Sequence, residues 1–334
     1  MEKMIQSLSK SGKAEDALKM VDRAIEVFDG NWYFVRLKAE TLAEAGKVTE
    51  AVNAYEEAMD KAKGIKGEDE KEADKARKEA KDTIREFMEK LVLDLVRQQK
   101  TDEALKLTDE LTKTDWYFAR LRAEILRETG KLDEAIVAFE EAIATVGKAK
   151  LDDSLKKKIL DRCRYVLSGV YTDLKQIDKA AEQLQKLLKE NPESATYHND
   201  LGYIWADHDM NLDESEKLVR KALVLDKAER EKAKKEGEDI EDKDNPAYLD
   251  SLGWVLFKKK DFAGAKKQLI EACKGEDGQH VEIYDHLADV HMALGEKDDA
   301  IAVWKKALAL DNVSKHDDKR KEAVKKKLEE AEKK

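Results

Sequence analysis

The sequence predicts an all-α chain of stacked helix–turn–helix hairpins, some with lengthened helices. Three observations carry that prediction. The composition favours helix almost everywhere: 334 residues hold only two prolines, and Ala, Glu, Lys and Leu dominate. Ten residues, NWYFVRLKAE from Asn31 to Glu40, return as DWYFARLRAE from Asp115 to Glu124, 84 positions further on. Finally, a glycine that closes one apolar-periodic segment, with an alanine soon after in the next, recurs along the chain.

Composition also excludes several function classes. A 41% hydrophobic fraction supports a continuous core, so the 41% of charged residues belong on solvated helix faces. At this length the chain is several domains or an elongated array. The net charge of −10 argues against a nucleic-acid binder, which needs a basic face for phosphates. No apolar run approaches the ~18 residues of a membrane span, and Met1 does not lead into a basic-then-apolar signal segment. The expected setting is therefore a soluble one, cytoplasmic or periplasmic, with any signal segment lying ahead of Met1. Cys163 and Cys273 sit among apolar residues at helical spacing and are expected to be buried, reduced thiols.

Taken in order, the elements follow from the repeat. The two copies extend over Asn31–Met59 and Asp115–Ile143, and in each a first segment ends at Gly46 or Gly130. Glycine tolerates the left-handed backbone past a helix end, and a second segment then carries Ala51 or Ala135, so each copy reads as a hairpin. Gly12 with Ala17 and Ala24 precedes the first copy by 34 residues, Gly12 to Gly46. Later members are anchored by Ala104, by Gly130, Ala135 and Ala142, by Ala180, and by Gly202 with Ala222. Gly253 with Ala265 and Ala272, then Gly295 with Ala300 and Ala307, complete eight. Small alanines let the two helices of a hairpin approach, while Tyr55, Phe139, Leu269 and Trp304 fill the space toward the next hairpin. No hairpin can bury its apolar face alone, so stacking makes the core.

The spacing is uneven. Ala51 to Ala104 is 53 residues and Ala135 to Ala180 is 45. Residues 69–98 keep helical spacing at Ile84, Phe87, Met88, Leu91 and Leu95, and residues 154–175 at Leu155, Ile159, Leu160, Cys163, Leu167 and Tyr171. Both predict long first helices, the earlier one after a loop around Gly64–Gly67. Asp226–Asp244, almost wholly Lys, Glu and Asp, predicts an overlong helix end and a mobile loop. Residues 1–11 are short for a first helix, so the chain is expected to start inside a repeat. Residues 316–333 put Val324, Leu328 and Ala331 on one side of a charged helix that would close the last apolar face.

A 34-residue period with small residues at these places resembles the tetratricopeptide repeat family over almost the whole chain. The resemblance implies a right-handed superhelical α-solenoid. It divides the chain into N-terminal repeats at 1–190, with a partial first repeat and a duplicated two-repeat unit with extended joints, three C-terminal repeats at 191–312, and a charged capping helix at 313–334. The last three repeats, from NDLGYIWADHDMNLDESEKLVRKAL onward, look like a triplet common in bacterial proteins of the family. That implies a bacterial origin and a scaffold or adaptor role.

Catalytic signatures are missing. The sequence has no GxGxxG, no GxxxxGK[ST], no HExxH, no paired CxxC and no GxSxG. His280, His286 and His291 lie near Asp285 and Asp289, and His286 with Asp289 could share a helix face. Two ligands on one helix do not close a metal site, so these read as packing and surface histidines. Carboxylates such as Asp207, Asp209 and Asp213 have no apolar pocket to raise a pKa for acid–base work. No catalytic residue, metal or cofactor is expected, and the chain reads as a non-enzyme.

Family resemblance implies that positions 2, 5, 9, 12 and 13 of each first helix line a concave groove. These are Tyr33, Arg36, Glu40 and Glu44 in one copy and Tyr117, Arg120, Glu124 and Glu128 in the other. Arg36 with Glu40, and Arg120 with Glu124, can equally be i, i+4 pairs that support a helix. The C-terminal repeats place Asn199, Tyr203 and Asp207, then Asp250, Trp254 and Phe257, then Asp285, Asp289 and Met292 in the groove. Aromatic rings among carboxylates suit a protein or peptide with basic and apolar side chains. The Lys and Asn of the family's carboxylate clamp are absent, so that specificity is not carried over. Trp32 and Trp116 begin first helices and are expected to staple one hairpin to the one before. The alternatives are a self-assembling scaffold joined through an open N-terminal repeat, or the regulatory arm of a larger protein.

Overall fold

The computed structural model describes residues 1–239, 241–311 and 315–333, and its described residues contain no strand. Two compact units divide the chain, Met1–Val170 and Tyr171–Lys334. In the first, α1 (Glu2–Lys10) pairs with α2 (Ala14–Val27), and α3 (Trp32–Glu44) with α4 (Val48–Lys63). There follow α5 (Glu70–Arg97) with α6 (Thr101–Thr114), α7 (Tyr117–Glu128) with α8 (Leu132–Lys148), and most of α9 (Asp153–Asp173). The second unit continues through α10 (Ile177–Glu190), α11 (Ala195–Asp207) with α12 (Leu212–Lys235), and α13 (Pro246–Lys258) with α14 (Phe262–Ala272). It closes with α15 (Val281–Ala293), α16 (Lys297–Ala309) and a single helix, α17 (Lys315–Lys333).

The turn inside each hairpin uses one device. Gly46 has φ +73° and Gly130 φ +79°, and the next residue donates its N–H to a carbonyl five residues back: Lys47 to Leu42 at 2.9 Å, Lys131 to Leu126 at 2.9 Å. The same left-handed turn is made without glycine at Gln99 (φ +62°), Lys175 (φ +57°) and Lys260 (φ +67°). The hairpins without a glycine signal are thus built like those with it. Past the turn, Ala17, Ala51, Ala104, Ala135, Ala180, Ala222, Ala265 and Ala300 are all fully buried. A Cβ added to Gly253 would lie 2.5 Å from Leu269 Cγ, so a glycine is required where α13 presses on α14.

The long elements fall where the spacing places them. α5 has 28 residues, α9 has 21 and α12 has 24. α5 is capped by Asp69, whose carboxylate accepts the Glu72 N–H at 2.8 Å. The acidic–basic stretch after α12 is non-helical up to Pro246, and within it Ile240 lies outside the described residues. In the first unit Val35, Leu42, Tyr55, Ile84, Met88, Leu107, Leu111, Phe118, Leu121 and Ile125 form one core. Trp32 packs against it, and the Arg85 guanidinium lies 4.9 Å from the Trp116 ring centroid. Cys163 is buried, whereas Cys273 is half-buried; burial pushes their thiols up to about 11 and about 12. The expectation of two fully buried thiols therefore holds for one of them.

In the second unit α13 buries Tyr248, Leu249, Leu252, Val255 and Leu256. α17 is different. Among its described side chains the fully buried apolar ones are Val324 and Ala331, with Leu328 partly buried beside them. A buried valine contributes roughly 1.5–3 kcal/mol, so α17 has little apolar burial for a 19-residue helix. Its ionic contacts weigh correspondingly more in where it lies.

Candidate functional site: a first-helix face of the C-terminal unit

Residues spaced three or four apart on a helix share a face. In the second unit this puts Asn199, Tyr203 and Asp207 in one row on α11. Asp250, Trp254 and Phe257 form a row on α13, and Glu282, Asp285 and Asp289 one on α15. The rows meet through a stack of rings. Phe257 stacks on Trp254 at 5.0 Å between centroids, and Trp254 on His286 at 4.0 Å, both nearly parallel. Tyr203 lies 6.4 Å from the same imidazole. Trp254 stays half-buried, and its indole N–H donates to Asp207 at 3.0 Å. Lys258 holds Asp209 at 3.1 Å and stands 5.3 Å from the Trp254 ring.

His286 has no exposed surface, and its Nδ1 lies 2.9 Å from the buried Asp250 carboxylate. Burial opposes the charged imidazole, but Asp250 outweighs it, and the pKa is raised. Nε2 of His286 has no hydrogen-bond partner among the described residues, and neither does the buried Oδ1 of Asn199. Tyr203 donates its O–H to Glu282 at 2.7 Å; burial first, and Glu282 next, push that phenol well up.

The carboxylates of α15 are already engaged. Asp285 is completely buried and accepts from the Trp304 indole at 3.0 Å, Lys327 at 2.8 Å and Arg320 at 3.3 Å. Lys327 also reaches Asp289 at 2.6 Å, and Arg320 pairs with Glu282. Burial, then Asp285, raise the Asp289 carboxyl in spite of Lys327. Met292 is exposed. Arg320 and Lys327 were missed in the sequence reading, though a signal existed. They flank Val324 at four residues before and three after, on the stripe that predicts the closing helix.

The first unit treats its copies differently. Arg36 is fully buried, with its guanidinium 3.7 Å from the Phe87 ring centroid and 4.5 Å from that of Tyr33. It donates to Glu40 at 2.6 Å and to Glu2 at 3.4 Å. Arg120 bonds Glu124 at 2.6 Å with about a quarter of each side chain exposed, and Tyr117 donates to Glu89. Both i, i+4 pairs thus form. Phe87 and Glu89 of α5, which cover this face, were not singled out as site residues.

The three histidines do not converge. His280 caps α15 by accepting from the Glu282 N–H at 3.3 Å, and His291 Nδ1 lies 2.6 Å from Glu296. His291, Glu296 and Asp299 bring ligand atoms within 4.8 Å, but the Lys266 ammonium sits 2.6 Å from Glu296 and satisfies its charge.

A hairpin array with a small buried residue past each turn, an alanine in most hairpins and Ser215 in α12, has a counterpart among known families. The tetratricopeptide repeat family model matches residues 3–64, 89–150 and 171–230, more than half of the chain, and a second model of that repeat matches 281–313. The chain belongs to the tetratricopeptide repeat family. Proteins with tetratricopeptide repeats generally mediate protein–protein interactions and are typically non-catalytic scaffolds. A tetratricopeptide repeat-containing protein of Pseudomonas aeruginosa is 27% identical over 182 residues, 53% of this chain and 26% of that protein. The chain thus spans about a quarter of the length of that relative. Among solved structures, a tetratricopeptide repeat protein from Parabacteroides merdae aligns over 88% of this chain and 98% of its own, at 16% identity and TM-score 0.49. Yeast Tom70 aligns over 96% of this chain and 59% of its own, at 14% identity and TM-score 0.48. Among the described residues no helix is long and apolar enough to cross a membrane.

Proposed function

We propose that this tetratricopeptide repeat chain is a non-enzymatic scaffold or adaptor that binds a partner protein segment on the first-helix face of its C-terminal unit. The observation that carries the reading is the half-open ring stack of Phe257, Trp254 and His286, bordered by Asp207. An aromatic anchor supplies affinity, and a carboxylate rim selects basic side chains and speeds encounter. The partner segment therefore carries basic and apolar residues.

Peptides selected from a random library on the immobilised wild-type chain test this. They should be basic and apolar, and Trp254→Ala should weaken them by roughly 2 kcal/mol with an unchanged melting curve. Asp207→Asn should flatten the salt dependence of the on-rate. Acidic selected peptides, or binding indifferent to Trp254→Ala, would refute the proposal. The self-assembly reading has one observation in its favour, the exposure of Met1, Met4, Val27 and Phe28 on the first hairpin. Light scattering on the same samples separates the two.

A further inference from the structure

We propose that α17 is a built-in occupant of this face, holding the α15 carboxylates against a partner that is itself a basic amphipathic helix. The inference rests on the partner-binding reading above. Three features of the second unit point to it.

First, the contacts of α17 match those expected of a basic ligand. Arg320 engages Glu282 and Asp285, and Lys327 engages Asp285 and Asp289, so two basic side chains are shared among three carboxylates of α15. Second, the face is continuous with the ring stack, because Glu282 also accepts the Tyr203 O–H. A helix lying where α17 lies therefore borders both the acidic row and the aromatic one. Third, the apolar seat of α17 is narrow, and ion pairs border it. Arg320, Val324, Lys327 and Ala331 form one stripe at successive three- and four-residue steps. Among the described side chains of α17, Val324 and Ala331 are buried and Leu328 partly buried, against Val281, Tyr284 and Ala288 of α15 and Ala300, Trp304 and Ala307 of α16. Lys305 with Glu332 at 2.8 Å adds a further ion pair at the helix end. A helix on so narrow an apolar seat buries less apolar surface than one held by a wide apolar face, and so costs less to displace when an incoming helix supplies the same ion pairs.

The partner this fits presents Arg and Lys seven residues apart with a small apolar residue between them. Binding would exchange one basic helix for another and free α17, so the free chain holds its own site partly closed. The affinity for an outside helix is then reduced by the fraction of time α17 is seated.

The probe is a fluorescein-labelled synthetic peptide of residues 315–333, titrated into the full chain. Arg320→Ser with Lys327→Ser should bind it at least tenfold more tightly than wild type. A control peptide with glutamate at both positions should bind neither chain. In the wild-type chain, saturating peptide should speed hydrogen exchange across α17 while α15 and α16 stay protected. That arm decides the matter if the double variant melts early. Equal binding by both chains, no binding to either, or saturation without faster exchange in α17 would overturn the inference. Loss of library-peptide binding in Trp254→Ala alongside any of those results would leave the scaffold reading standing and this one refuted.

Discussion

The two copies of the repeated hairpin, 31–59 and 115–143, differ little in sequence and a good deal in what surrounds them. Asn31 caps α3 at the surface, its side chain accepting the Tyr33 N–H at 2.9 Å. Its counterpart Asp115 accepts the Tyr117 N–H at 3.1 Å but is buried, bound by Arg85 at 2.6 and 2.8 Å and by the Tyr55 O–H at 2.9 Å. The change from amide to carboxylate goes with the long helix α5, which brings Arg85 to that point. Tyr55 is matched by Phe139, equally buried but with no hydroxyl to satisfy. The Arg–Glu pairs diverge in the opposite sense: Arg36 is sealed under Phe87, whereas Arg120 stays partly open. One local sequence thus serves two roles, set by how α5, which lies between the copies in the chain, meets each of them.

The sharpest way to break this comparison is to remove each cap. Asp115→Ala strands a buried guanidinium and should cost about 3–5 kcal/mol, while Asn31→Ala loses only a surface cap, about 1 kcal/mol. Urea unfolding measures both, and equal losses would mean that the two caps are equivalent after all.

Where the copies are alike, the effects should match. Ala51 and Ala135 are both fully buried at the hairpin contact. Ala51→Trp and Ala135→Trp should each destabilise by about 1–3 kcal/mol, and Glu56→Gln, at an exposed position, should change little. A marked inequality between the two tryptophan variants in the same unfolding assay would show that the hairpin cores differ.

The smallest effect is a difference in pH slope. Burial pushes Glu40 up to about 7, with Arg36 opposing and Glu44 and Glu2 reinforcing the rise. The folded state then holds this proton more tightly than the unfolded one. Wild-type stability relative to Glu40→Gln should therefore fall as pH rises from about 4.5 to 7, and level off above. Asp115 has the opposite sign. Burial works to raise its pKa, but Arg85 prevails and lowers it below 3.8, so its contribution is present above that value and lost as pH falls through the folded one. Melting temperatures of the two variants and wild type across pH 3–8 would reveal the opposed slopes, and parallel curves would contradict them.

The sequence by itself determined the all-α class, the hairpin period, the buried alanines, the long helices α5, α9 and α12, and the closing helix. These depend on apolar spacing and turn chemistry within a few dozen residues, where the chain encodes its own geometry. Even there, the left-handed turns at Gln99, Lys175 and Lys260 carried no glycine to announce them. Only the tertiary structure decided which side chains meet. Tyr203 finds Glu282 79 positions away, Lys327 finds Asp285 42 away, and Arg85 finds Asp115 30 away. A first-helix row of carboxylates reads as an open acidic face in sequence. It becomes a paired one when a distant helix folds back onto it, because charge partners are set by which helices pack together and not by the spacing within any one of them.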